Sequence, residues 1–219
     1  LGVPFSDPMA DGPVIQRSSE RALARGAGLR HVLQTVAAFR ERDDATPVVL
    51  MGYLNPVEIH GAERFAREAV AAGVDGVLLV DLPPEEADDT RVLFSRQGLA
   101  LIALASPTTS AERLAMLCDT AQGYLYYVSF AGVTGASDRL DTKAAGERLR
   151  QLRAAARVPV VAGFGIKDAA SAAAMAEDAD GVVVGSALVA ALERSGAAGG
   201  DAAAVAKAFL APLRAALDA

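Results

Sequence analysis

The 219-residue chain is 52% hydrophobic, carries one cysteine and two histidines, and has a formal net charge of −6. That acidic balance, with a pI near 5.0, argues against nucleic acid or an anionic membrane surface as the main partner, while leaving small anions open to backbone N–H groups. Cys118 alone supports neither a disulfide framework nor a thiolate metal cluster and fits a reducing compartment such as the cytoplasm, and no run of about 18 apolar residues marks a membrane span. His31 and His60 are too far apart in sequence to suggest a metal site and read as helix-surface or loop residues.

Leu1-Gly2-Val3 is an apolar stub that reads as the end of a strand begun ahead of Leu1, so the chain is expected to be a fragment. Pro4 to Pro13 follow as a polar, turn-rich loop with Asp7 and Asp11. In an α/β barrel the loop leaving the carboxyl end of a strand houses the chemistry. Asp before Pro or Gly is equally a common turn pair. The turn reading is preferred for Asp7, and both readings stay open for Asp11.

Ile15 to Ala24 and Leu29 to Arg42 read as helices, the second from apolar residues three and four apart. Pro47 to Leu54 is a buried strand ending at the loop signal Asn55-Pro56, and Glu58 to Ala72 is an amphipathic helix closed by Gly73. Val77 to Val80 is a strand delivering Asp81 at its end, and Pro84 starts a helix whose early acids suit the helix dipole. The pattern continues with strand Leu99 to Ala105, helix Ser110 to Leu117 and strand Gly123 to Ser129. A glycine-bearing loop precedes helix Lys143 to Ala156, and strand Val158 to Ala162 runs into Gly163-Phe164-Gly165. A small helix, strand Gly181 to Val184 and a terminal helix Ala203 to Leu217 complete the chain, with a kink or local break expected at Pro212. The segments Ala72-Gly73-Val74-Asp75-Gly76-Val77 and Asp178-Ala179-Asp180-Gly181-Val182 repeat one helix end, tight turn and strand start.

Strand and helix in series force parallel pairing. The count is six complete strands plus the stub. An eight-strand barrel would then lack its first strand and most of its second. An open doubly wound sheet explains the alternation as well but lacks its usual dinucleotide fingerprint. Nothing marks an internal boundary, so residues 1–219 read as one domain. Glycine-bearing strand ends converge late in the chain at Gly132-Val133-Thr134-Gly135, Gly163-Phe164-Gly165 and Gly185-Ser186. Each glycine could merely permit a tight turn. Together, after the late strands, they favour a phosphate site.

The opening motif L-G-x-P-F-S-D-P-x-x-D-G-P resembles the alpha subunit of tryptophan synthase, and so do G-V-T-G, G-F-G-I, G-S-A, Asn55-Pro56, Asp81-Leu82-Pro83 and Pro107-Thr108-Thr109. The resemblance covers essentially the whole chain and favours the (β/α)8 TIM barrel by supplying the missing strands. It implies a carbon–carbon lyase: retro-aldol cleavage of indole-3-glycerol phosphate to indole and glyceraldehyde 3-phosphate. In the family a glutamate, the general acid and base, directly precedes the motif, a place just ahead of Leu1. Asp11 would stabilise charge at the indole N–H, with Tyr126 as a supporting catalytic residue. Gly135, Gly165, Gly185 and Ser186 would hold the phosphate, and Phe164 and Leu78 would wall the indole pocket, a reading that overlaps with plain core packing. No metal or organic cofactor is implied in this chain; pyridoxal phosphate belongs to a partner beta subunit in an alpha2-beta2 heterotetramer. Ser6-Asp7-Pro8, Asn55-Pro56 and Gly132 to Arg139 resemble the regions that meet that partner. Phe130-Ala131 departs from a polar pair found in some relatives. The rival readings are another phosphate-binding barrel enzyme, which has no reason to carry the opening motif, and an inactive truncated barrel that only binds a partner.

Overall fold

The computed structural model describes residues 1–128, 142–163 and 165–219. The chain divides into two compact units, the first made of Leu1–Asp11, Gln16–Leu104 and Thr120–Gly123, the second of Gly12–Ile15, Ala105–Asp119 and Tyr124–Ala219. Helix α1 (Pro13–Ala24) follows the opening loop.

In the first unit come α2 (Leu29–Arg40), β1 (Val49–Gly52), α3 (Leu54–His60), α4 (Ala62–Ala72), β2 (Gly76–Leu79), α5 (Asp88–Arg96) and β3 (Ala100–Leu101). The strands pair in parallel in the order β1-β2-β3. The opening stub does pair as a strand: Gly2 bridges Met51 in parallel, with Val3 N–H donating to the Met51 carbonyl at 2.8 Å. The core follows from the helical spacing. Val32, Leu33 and Val36 of α2 and Phe65, Ala66 and Ala69 of α4 recur one and four residues apart, and they bury with Leu50, Val77, Leu79, Phe94 and Leu99. Phe65 and Phe94 stack tilted at 5.7 Å.

Three expectations for this unit need correction. Asn55-Pro56 is not a loop but the first turn of α3, where proline's missing N–H costs nothing because that amide has no intrahelical partner. The single helix expected from Glu58 to Ala72 is two, parted at Gly61, whose φ of +89° no helix accommodates. Pro84–Glu86 forms only a 3-10 turn, and the α-helix begins at Asp88.

Beyond Ile102 the chain forms β4 (Ala103–Ala105), so the strand expected from Leu99 to Ala105 is interrupted. Ile102 nonetheless donates its N–H to the Val77 carbonyl at 2.8 Å. Then follow α6 (Ala111–Thr120), β5 (Leu125–Val128), α7 (Thr142–Ala155), β6 (Val160–Gly163), α8 (Ala169–Ala176), β7 (Gly181–Val182), α9 (Ser186–Ala197) and α10 (Ala202–Leu217). The second sheet has the order β4-β5-β6-β7. Helix α9 was not foreseen, because its alanine-rich sequence carries little periodicity. The break expected at Pro212 does not occur. Phe209, Leu213 and Leu217 lie four apart on one face of α10 and pack with Ile166, Ala172 and Val182, which outweighs the one hydrogen bond proline forfeits.

The repeated turn has a repeated job. Asp75 accepts the Val48 N–H and the Arg40 guanidinium, each at 2.7 Å, tying the end of α2 to the start of β1. Asp180 accepts the Val160 N–H at 2.8 Å and Arg153 Nε at 3.0 Å, doing the same between α7 and β6. Among the described residues, no helix is long and apolar enough to cross a membrane.

Candidate active site

Parallel pairing puts strand ends together. Gly52 lies opposite Leu79, so Tyr53 and Asp81 leave the same end of the first sheet, and the opening loop leaves it too after the Gly2–Met51 bridge. Within that loop Met9 N–H bonds the Asp7 carbonyl at 2.8 Å and Asp11 N–H the Pro8 carbonyl at 3.0 Å. Asp7 is exposed in this turn, its carboxylate accepting the Ser6 hydroxyl at 2.5 Å.

Asp11 stands differently. It is half-buried, and its Oδ2 accepts a hydrogen bond from Tyr53 Oη at 2.9 Å. Ala10 N–H donates to the same hydroxyl at 3.0 Å, and Gln16 Nε2 holds the Asp11 carbonyl at 2.9 Å. Burial raises the Asp11 pKa above the ordinary carboxylate value, and the Tyr53 hydrogen bond offsets only part of that. Tyr53 is 4% exposed and lies 5.3 Å from the Phe5 ring. Burial, followed by the neighbouring Asp11, pushes its own pKa well up, so it stays a donor. Tyr53 was not among the residues picked from the sequence. The available signal was its place one residue past a buried strand, at the end where barrel chemistry sits.

Leu78 is buried in the middle of β2, whose four residues are all buried. Its neighbours Val77 and Leu79 belong to the helix-facing cluster and Leu78 does not, as alternation along a strand requires. It therefore lines the opposite face of the sheet, in register with Met51.

In the second unit Tyr126 sits on β5 at 7% exposure, and burial pushes its pKa up to about 12. Its ring occupies the space that a side chain on Gly163 would need. A Cβ there would lie 2.7 Å from Tyr126 Cε2 and 2.8 Å from Cζ, and closer still to Oη. Ala162 is in register with Val182, so the turns after β6 and β7 emerge side by side. The first holds Gly165, exposed and with φ +59°. The second holds Gly185, the N-cap of α9, followed by the exposed Ser186. The two helices that start at these turns are capped differently. Asp168 and Ser171 form a reciprocal capping box on α8, whereas the N-cap of α9 is Gly185, which makes no side-chain cap bond. Gly135 and Phe164, with the loop Gly132 to Arg139, lie outside the described residues.

Comparison with known proteins gives a consistent picture. The family model described as tryptophan synthase alpha chain matches residues 1–217. The chain is similar to the tryptophan synthase alpha chain of Xanthomonas oryzae pv. oryzae (strain MAFF 311018), 77% identical over 218 residues, covering 100% of this chain and 81% of the relative. It is 75% identical over 225 residues to that of Xanthomonas campestris pv. campestris (strain B100), covering 100% of this chain and 80% of the relative. Among solved structures it resembles tryptophan synthase subunit alpha from Legionella pneumophila str. Paris, with TM-score 0.91 and 48% identity over 100% of this chain and 80% of that one. It also resembles a chain of the tryptophan synthase a2b2 complex from Pyrococcus furiosus, with TM-score 0.88 and 40% identity over 98% of this chain and 85% of that one. The parallel strands and intervening helices are those of the (β/α)8 TIM barrel that these structures share.

Proposed function

The chain belongs to the tryptophan synthase alpha chain family and acts in tryptophan biosynthesis as a lyase, and on that premise we propose that it cleaves the carbon–carbon bond of indole-3-glycerol phosphate in a retro-aldol reaction. The products are indole and glyceraldehyde 3-phosphate. The observation that carries this reading is Asp11, a half-buried carboxylate pinned through one oxygen by Tyr53.

Such a cleavage protonates the indole C3, so that the bond to the glycerol carbon breaks as a base removes the hydroxyl proton. Positive charge builds at the ring nitrogen. A carboxylate beside the indole N–H, already oriented and partly desolvated, stabilises that charge more in the transition state than in the bound substrate. Asp11 takes this role, with Oδ2 held by Tyr53 and Oδ1 left for the substrate. Proton transfer falls to the glutamate that directly precedes the motif in the family. Tyr126 supports the reacting end, and Leu78 and Phe164 wall the indole ring.

The phosphate is assigned to Gly135, Gly165, Gly185 and Ser186. The uncapped start of α9 supports this, because unpaired N–H groups and the dipole favour an anion there. No metal or organic cofactor takes part in this scheme. Residues 1–219 act as part of one barrel domain in the cytoplasm. A beta subunit carrying pyridoxal phosphate is the partner proposed to receive the indole, since the Pyrococcus furiosus relative is solved as an a2b2 complex.

The test is formation of indole from indole-3-glycerol phosphate by the full-length protein, together with glycerol phosphate binding to Gly185→Val. Binding weakened by about tenfold or more fits an anion held at the α9 start, whereas unchanged affinity removes that turn from the site.

A further inference from the structure

Asp11 accepts at Oδ2 from Tyr53, and the orientation of the Tyr53 hydroxyl leaves no ambiguity. Its lone pair takes the Ala10 N–H at 3.0 Å, so its proton points to Asp11 at 2.9 Å. What holds Tyr53 itself is less obvious. It is the N-cap residue of α3, with extended backbone (φ −116°, ψ 156°), yet its side chain makes no capping bond because it is turned toward Phe5 and Asp11. The first amide of α3, Leu54 N–H, therefore needs an acceptor from elsewhere. Asp81 Oδ1 supplies it at 2.8 Å from the turn after β2. The two segments already adjoin, since Val80 N–H donates to the Gly52 carbonyl at 3.0 Å.

We propose that Asp81 is a positioning residue for Asp11: by accepting the Leu54 N–H it fixes the backbone of Tyr53, whose hydroxyl then fixes the Asp11 carboxylate. The relay Asp81–Leu54–Tyr53–Asp11 runs through two hydrogen bonds and one peptide unit. Among the described residues no hydrogen bond reaches Asp11 Oδ1, so the relay presents that oxygen in a set direction. The assignment rests on the retro-aldol reading for the use made of that oxygen, but the relay itself is a property of the fold. Tyr53 faces Asp11 on the opening loop and Asp81 on the β2 turn, and both carboxylates act on it.

The relay can be tested without turnover by following the Asp11 carboxyl through its titration by carbon-13 NMR. Two variants at Asp81 separate charge from capping. Asp81→Asn removes the charge but keeps an acceptor for Leu54 N–H; Asp81→Ala removes both. The relay predicts that Asp11 titrates at least about half a pH unit higher in Asp81→Ala than in Asp81→Asn, because losing the cap loosens the Tyr53 bond that favours the ionised carboxyl. Tyr53→Phe should also raise it above wild type. Equal titration in the two Asp81 variants, or no change in Tyr53→Phe, overturns the proposal. In the full-length enzyme Asp81→Ala should lower kcat about tenfold with KM nearly unchanged, and Asp81→Asn should restore most of it. A fall in both variants alike would mean that Asp81 acts by charge and not by position. Should wild type release no indole, the retro-aldol reading fails, and the titration still decides the relay.

Discussion

Gly163→Ala is the most demanding test of the packing around Tyr126. The added Cβ would lie 2.7 Å from Tyr126 Cε2 and 2.8 Å from Cζ, against a comfortable carbon–carbon separation of about 3.5–4.0 Å. The ring must therefore move by about 1 Å. It has little room to do so, since Tyr126 is 7% exposed and Val161, beside Gly163, is its partner in the ladder. Overpacking of this kind costs about 1–3 kcal/mol. If Tyr126 supports the reacting end, the same shift should lower kcat by up to about a hundredfold. Tyr126→Phe removes only the oxygen and leaves both ring carbons too close, so it should relieve little. Tyr126→Leu removes the ring and should relieve most of the strain. Urea unfolding of the wild type, the two single variants and Gly163→Ala/Tyr126→Leu closes a double-mutant cycle. The expected coupling is about 1 kcal/mol or more in favour of the double variant, and additivity within about 0.5 kcal/mol would refute the steric account.

Asp11 should also leave a mark on stability. Its folded pKa lies above the ordinary carboxylate value of 3.8, so the contribution of the protonated carboxyl is complete below that value and is lost as pH rises through the folded pKa. Asp11→Asn, always neutral, should therefore unfold at a higher temperature than wild type at pH 7. The gain should shrink to nothing as pH falls below 3.8; a gain that is constant with pH would contradict the burial argument. At the other end of the strands, Asp75→Ala and Asp180→Ala each remove the acceptor of a strand-start N–H and an arginine partner. Each should cost about 1–2 kcal/mol in chemical unfolding, with Asp75→Asn costing less because the N–H keeps its acceptor. Values within about 0.5 kcal/mol of wild type would show the clamps to be ornamental.

Parallel strands inside an α/β fold announce themselves as short apolar runs, so Val49–Gly52 and Gly76–Leu79 were legible as strands. So was the opening stub that bridges Met51, an apolar Leu1-Gly2-Val3 run leading into a proline- and turn-rich loop. Local breaks were not. Gly61 parts two helices that share one amphipathic pattern, and the pattern reads on through it. Proline misled at Pro56, read as a loop, and at Pro212 as to a local break, for opposite reasons. The first sits in a helix's opening turn, where it is harmless, and the second is held in α10 by Phe209, Leu213 and Leu217, whose partners on α8 no local reading can supply.

In the site, the sequence pointed to Asp11 through its loop and its motif. It did not single out Tyr53, forty-two positions away, since a place just past a buried strand marks the right end of the sheet but not the fold's return of that tyrosine to the opening loop. The same holds for Asp81. Its carboxylate is a helix cap, but for a helix that starts twenty-seven residues earlier, and the rule that seeks caps next to the helix they serve passes over it. Gly163 looked like one of several turn glycines, and only the ring of Tyr126 shows that its missing side chain is space in use.

The most direct test of the account is the steady-state kinetics of indole release from indole-3-glycerol phosphate by the full-length protein and its Asp11→Asn variant. The expected result is kcat lowered by about a hundredfold or more with KM within about twofold, the signature of an interaction realised mainly in the transition state. A rise in KM with kcat unchanged would place Asp11 in substrate binding alone and contradict its proposed role.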